Sequence, residues 1–430
     1  MFSEATIEQI EQRYEDAKKQ YRALGVDADQ AIRTLAETPV SLHCWQGDDV
    51  RGFELQPGQV SGGGIMATGN YPGSASNAET LRRDAEKAFS MIPGKKRFNL
   101  HAIYAETGDK AIPRDEISAE HFANWMAWSK KNHIPLDFNP TFFAHPKAND
   151  GYTLSHQNPD IRKFWIRHDL ACRKIAEAIG REQGEPCIVN HWIPDGAKDQ
   201  PMDRMSPRKR LIEALEQIFS ENISPDYCRD ALECKLFGLG SEDYVVGSHE
   251  FYMGYALTHP QMLCFDMGHF HPTETIHDKI SAIMLFKDEL LLHVSRGIRW
   301  DSDHVVIFND DLRCLFQQVV RGNFLSRVHL ALDFFDASIN RIGAWVVGTR
   351  ATQKALLAAL LEPVQLLQSF ETNGDGAMKL ALLEELKQFP MGAIWDKFCL
   401  QAGVPAGAAW IDTLIDFDRN VIRKRSSSNG

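Results

Sequence analysis

Met262-Leu263-Cys264-Phe265-Asp266-Met267-Gly268-His269-Phe270-His271 is the stretch whose reading decides the fold. Four apolar residues run unbroken and stop at a carboxylate. A short apolar run bounded by polar residues is the pattern of a parallel strand buried on both faces. Asp266 stands at its carboxyl end, and His269 follows three residues later in the loop. One cation could meet both from two directions. In isolation the pair fits equally well an Asp that caps its loop beside a surface His. The choice depends on whether other strand ends repeat the pattern.

They do. Strand-like runs occur at 40–45, 97–103, 134–138, 186–192, 231–237, 261–266, 290–294 and 328–334, with helical segments between them. Ile7, Ile10, Tyr14, Ala17 and Tyr21 share one helical face, closed by Gly25. Asp27 and Asn77 read as N-caps, Pro159 as a first helical residue with Gly180 as the stop, and Thr273 as a helix start. Eight strands alternating with helices predict a (β/α)8 barrel; a doubly wound sheet does not usually need eight such units. Past residue 350 only helical periodicity remains. The expected organisation is a barrel with N-terminal helices over 1–350 and a helical extension over 351–430, packed on the barrel or on a neighbouring subunit. The basic residues near the C-terminus read as a solvated end. The Gly-rich stretch 61–73 reads as a long loop.

The formal net charge of -11 argues against nucleic acid or an anionic membrane as partner. It suits a protein whose carboxylates hold cations. Eight cysteines without a CxxC pair or zinc spacing, several inside apolar runs, fit reduced thiols in the cytoplasm. The N-terminus shows no apolar leader, and no run of eighteen apolar residues marks a membrane span.

Active sites of such barrels lie at the carboxyl ends of the strands. There the sequence places His101, Trp192, Glu233 with Lys235, Asp266 with His269, His293, Asp301 with Asp303, and Asp333. Burying this many carboxylates without neutralisation would cost many kcal/mol, so shifted pKa values or cations must compensate. Oxygen donors with two imidazoles and no thiolate suit two ions of the Mn²⁺, Mg²⁺ or Co²⁺ kind, with Asp266 as the candidate bridge. Glu233 and Lys235, two apart, are expected on one face of one strand. Lys235 reads as an ion-pair partner or as a donor to a substrate oxygen, and the two are compatible. Trp192 and His101 read as contacts for a sugar, or as core and rim residues.

Longer motifs then become informative. The segments 43–50 (HCWQGDDV), 67–73 (ATGNYPG), 192–196 (WIPDG), 268–274 (GHFHPTE), 300–306 (WDSDHVV) and 332–341 (LDFFDASINR) resemble bacterial L-rhamnose isomerases, in order and over nearly the whole chain. That family is similar in fold and metal layout to xylose isomerase. The resemblance implies a homotetrameric, usually Mn²⁺-dependent barrel that converts L-rhamnose to L-rhamnulose in the cytoplasm. It implies Glu233, Asp266, His293 and Asp333 around a structural ion. His269, Asp301 and Asp303, with Asp266 bridging, would surround a catalytic ion. It also implies Lys235 at the substrate's O1 and His101 in ring binding and opening; for proton handling in that opening His101, a metal-bound water and Asp333 are the candidates. The rival readings are a metal-dependent phosphoesterase on the same barrel, for which no phosphate loop is evident, and a sugar-binding protein without catalysis.

Overall fold

The computed structural model describes residues 2, 5–54, 67–236, 242–271, 273–298 and 303–426. Among the described residues there are ten strands: β1 Val40–His43, β2 Lys96–His101, β3 Leu136–Asn139, β4 Cys187–Trp192, β5 Gly196–Ala197, β6 Cys228–Glu233, β7 Tyr244–Val245, β8 Met262–Asp266, β9 Leu290–Val294 and β10 Val328–Leu332. Eight of them close a parallel barrel in the order β1-β2-β3-β4-β6-β8-β9-β10, with β10 returning to β1. β5 and β7 form a small antiparallel ribbon outside it, which the sequence reading did not include.

The eight expected strands are all found, four of them (β1, β2, β6 and β10) shorter at the carboxyl end than expected. The difference matters at β6, which stops at Glu233. Glu233 and Lys235 therefore do not share a strand face: Lys235 lies in the irregular segment that follows. The chain also runs through Gly180, because the helix Pro159–Gln183 ends only at Gly184, in the left-handed conformation. Gly180 is needed for another reason. A Cβ there would fall 1.9 Å from the Tyr227 carbonyl oxygen, so the residue permits close helix–strand approach. The helix expected from Thr273 starts later, at His277–Ile283. Asp27 and Asn77 cap their helices as expected, accepting from the Gln30 and Thr80 N–H groups.

The helix Arg341–Leu360 packs along the barrel, with Trp345 and Leu357 fully buried. The segments beyond it are helical to Ser426. At the basic end Arg423 and Lys424 are exposed, as expected, but Arg425 forms a two-pronged ion pair with the buried Asp84, at 2.6 and 2.7 Å. Among the described residues no helix is long and apolar enough to cross a membrane.

Inside the barrel, one half of the wall is apolar: Ile188, Ala231, Met262, Cys264, Leu291 and Ala331 form a compact cluster. The other half is polar. Arg97 pairs with Asp137 at 2.8 Å, and Ser41 donates to the same carboxylate at 2.6 Å. Asp137 thus belongs to an internal ion pair rather than to the mouth of the barrel. His191 also lies away from the mouth. Alternation along β4 turns Asn190 and Trp192 inward and His191 outward, where it bridges Asp169 (3.1 Å) and Asp230 (2.9 Å).

Candidate metal and sugar site

The register of the barrel brings the acids and imidazoles together. Asp266 at the end of β8 is paired with His293 of β9, and Trp192 of β4 with Glu233 of β6. Asp333 follows the last residue of β10, its N–H bonded to the Val294 carbonyl at 3.2 Å. His293 Nδ1 lies 3.0 Å from Asp333, 3.5 Å from Glu233 and 3.7 Å from Asp266. Glu233, Asp266, His293 and Asp333 each offer one ligand atom, all within 4.8 Å of one another. Asp266, His269 and Asp303 do the same in a second group, so Asp266 belongs to both. Asp301, the remaining expected ligand, lies outside the described residues.

The surroundings hold these groups in place. Asp266 Oδ1 accepts from Ser295 Oγ at 2.5 Å and from the Gly268 N–H at 2.6 Å. A side chain at 268 would crowd this cradle, its Cβ 3.2 Å from Asp266 and 3.3 Å from Asp303. His269 Nδ1 lies 2.9 Å from both Glu233 and the Cys234 carbonyl. Asn190 donates to Glu233 from beneath, and Trp45 Nε1 donates to Asp333 at 3.1 Å.

The electrostatics record missing positive charge. Burial drives the Asp266 carboxyl up to about 7, and the neighbouring Asp333 and Glu233 add to the rise. Burial acts on Glu233 in the same sense, but the His293 and His269 imidazoles outweigh it and hold that carboxyl well below its usual range. Burial disfavours the charged form of His293; the Cys264 thiol with Glu233 and Asp333 overrides it, so the imidazole is held well above its usual value. A proton on His293 thus does part of the work a cation would do. Asp266 Oδ2 and His293 Nε2, both fully buried, find no hydrogen-bond partner among the described residues. Buried polar atoms without partners, a hard oxygen-rich donor set and two groups sharing one carboxylate fit a pair of divalent cations.

An aromatic wall flanks this centre. Trp45 meets His101 edge-on at 4.7 Å between ring centroids, His101 meets Phe143 at 5.7 Å, and Phe143 meets Trp192 at 5.7 Å. Lys235 Nζ stands 4.6 Å from the Trp192 ring centroid. His101 Nδ1 is 3.0 Å from the Thr141 hydroxyl, and burial pushes its pKa down to about 3, so the ring is neutral at ordinary pH. Sequence reasoning did not single out Phe143, Thr141, Ser295 or Cys264. None carries a charge, and only the closed barrel brings Ser295 and Cys264 to the carboxylates and Phe143 and Thr141 to His101. The Ser two residues beyond His293 was the one signal available for Ser295.

Fold and site together define a (β/α)8 barrel with a carboxylate–imidazole centre suited to divalent cations, beside an aromatic, lysine-bearing wall. The family model for L-rhamnose isomerase (RhaA) matches residues 8–425. L-rhamnose isomerase of Rhodopirellula baltica is 54% identical over 420 residues, covering 98% of each chain. That of a Klebsiella pneumoniae strain is 54% identical over 417 residues, covering 97% of this chain and 99% of the relative. A Methylomonas D-allulose 3-epimerase shares the fold at a TM-score of 0.50 and 10% identity, over 75% of this chain and 98% of that one. The chain belongs to the L-rhamnose isomerase family. The phosphoesterase reading gains no support from any of these relatives.

Proposed function

We propose that the chain is an aldose–ketose isomerase that converts L-rhamnose to L-rhamnulose with two bound divalent cations, Mn²⁺ foremost. The observation that carries the reading is the sharing of the buried Asp266 between two ligand groups, within a chain matched over its length to one family. Glu233, Asp266, His293 and Asp333 would hold one ion. His269 and Asp303, with Asp301 and the bridging Asp266, would hold the other. When bound, the cations counter the negative charge that develops on the sugar's O1 and O2.

The chain's own residues do the rest. Lys235 donates a hydrogen bond to O1 and keeps its charge beside that oxygen. Trp192 and Phe143 cover the apolar face of the sugar and exclude water. His101, neutral and braced by Thr141, takes and returns a hydroxyl proton during ring opening, together with Asp333. Glu233 and His269 also contact substrate hydroxyls. Hydrogen then passes from C2 to C1 as a hydride, so no side chain need act as a base on carbon. Reaction in deuterated water tests that step: extensive deuterium at product carbon would replace the hydride shift with an enediol path.

A homotetramer in the cytoplasm completes the proposal. Its support is the helix Gly376–Leu386, which buries no residue in the single chain and exposes Met378 and Leu380, together with eight unpaired thiols. Light scattering tests the assembly. We also propose the division into a barrel over 1–350 and a helical extension over 351–430, because the last strand ends at Leu332. The function is tested by an aldose panel with EDTA-stripped protein, to which Mn²⁺, Co²⁺, Mg²⁺ or Zn²⁺ is returned. Activity without added cations, or none on L-rhamnose with them, would reject it.

A further inference from the structure

Directly below the proposed cation pair lies a thiol that the isomerase chemistry does not use. Cys264 sits on β8 two residues before Asp266, so alternation points both inward on the same face. Its sulfur, one Glu233 oxygen and one His293 nitrogen all lie within 4.8 Å of one another. Cys264 is fully buried, and so is His293, whose Nε2 lacks a hydrogen-bond partner among the described residues. Beneath them, a cavity of about 750 Å³ opens toward the amino-terminal end of the barrel and is lined by Asn190, Leu291, His293 and Ala331. The centre therefore has space below it.

We propose that Glu233, Cys264 and His293 form a third coordination site, selective for a thiophilic divalent cation of the zinc or cadmium class and exclusive of the ion held by Glu233, Asp266, His293 and Asp333. The inference rests on the reading that this centre takes divalent cations. Sulfur, imidazole nitrogen and carboxylate oxygen form a three-ligand set that suits a tetrahedral soft ion, with water as the fourth ligand. Mn²⁺ and Mg²⁺ prefer all-oxygen or oxygen-rich surroundings and stay with the upper carboxylates. On binding, the S–H bond breaks, its proton leaves to solvent and the sulfur–cation bond forms, with no change of oxidation state. Glu233 and His293 are common to both sites, so one ion displaces the other. Hard cations then support the reaction, and thiophilic ones poison it.

Cadmium is the probe, added to EDTA-stripped full-length protein and read by the ultraviolet thiolate-to-cadmium charge-transfer band. Mn²⁺ uptake is read in parallel from the loss of its free-ion paramagnetic resonance signal. The wild type is expected to give one band equivalent per subunit, erased by excess Mn²⁺. Cys264→Ser and Cys264→Ala should each lose the band, with cadmium affinity down by at least about 100-fold, since even outer-sphere partners cost 10–100-fold. Cys399→Ser, which loses a thiol elsewhere in the fold, should keep the band. A band retained in both Cys264 variants, or one indifferent to Mn²⁺, overturns the proposal. No band in a protein that still binds Mn²⁺ also overturns it and leaves the divalent reading standing. Failure to bind either metal overturns both.

Discussion

Asp266→Asn separates the two things this carboxylate does. In the metal-free protein its pKa rises from the ordinary 3.8 to about 7. An acid whose folded pKa lies above its unfolded value costs stability once the pH exceeds the unfolded value, and the cost is complete above the folded one. About three pH units at 1.36 kcal/mol each is a penalty of the order of 4 kcal/mol, developed between roughly pH 4 and 7. For 430 residues the unfolding entropy makes that about 4 °C in melting temperature. Asparagine keeps the shape and the Oδ1 that accepts from Ser295 and Gly268, but removes the charge. Stripped of cations, Asp266→Asn should therefore melt above the wild type at pH 8 and close to it at pH 4. Mn²⁺ at a hundred times its Kd should stabilise the wild type by about 2.7 kcal/mol and the variant hardly at all. The assay is thermal unfolding by circular dichroism at both pH values, with and without Mn²⁺, beside isomerase activity. If the stripped variant melts below the wild type at pH 8, or gains the full Mn²⁺ increment, the assignment of Asp266 as a buried, shared ligand is wrong.

Three further outcomes follow from the same geometry. His191, fully buried between Asp169 and Asp230, has its pKa raised to about 9, the two carboxylates overriding burial. This raised basic group stabilises fully below about pH 6.5, and its contribution of about 3 kcal/mol disappears as the pH climbs through 9. The melting temperature of the wild type should fall toward that of His191→Gln between pH 7 and 10, and parallel curves would refute the charged pair. Lys235→Met should lower kcat by 10²- to 10³-fold, the usual cost of one such donor, with Mn²⁺ affinity unchanged; a change in KM alone would remove Lys235 from O1. Gly180→Ala forces its Cβ against the Tyr227 carbonyl and should lower the urea midpoint by the equivalent of about 1–3 kcal/mol, whereas a neutral result would show that helix Pro159–Gln183 can shift away.

Much of the site was legible before any coordinates, because each ligand lies at a strand end that hydropathy marks or in the loop that follows one. Glu233, Asp266, His269, His293, Asp303 and Asp333 were named from those ends, and the barrel brings them within ligand distance. Asp137 and His191 occupy similar positions in the chain yet serve other ends. Strand direction was readable for them; what packs against the inner or outer face was not. Arg97 claims Asp137, and Asp169 claims His191.

The sequence by itself determined the barrel, the order of its strands and the chemical kind of its mouth. Apolar runs separated by helical segments repeat eight times, and parallel strands joined by helices close in one handed way. Tertiary structure alone decided the stagger between strands. That stagger gives Asp266 two sets of neighbours, seats Lys235 over Trp192 instead of along β6, and brings Cys264 beneath Glu233 and His293. Local spacing fixes which face of its own strand a side chain takes. Only closure of the sheet fixes what stands across from it.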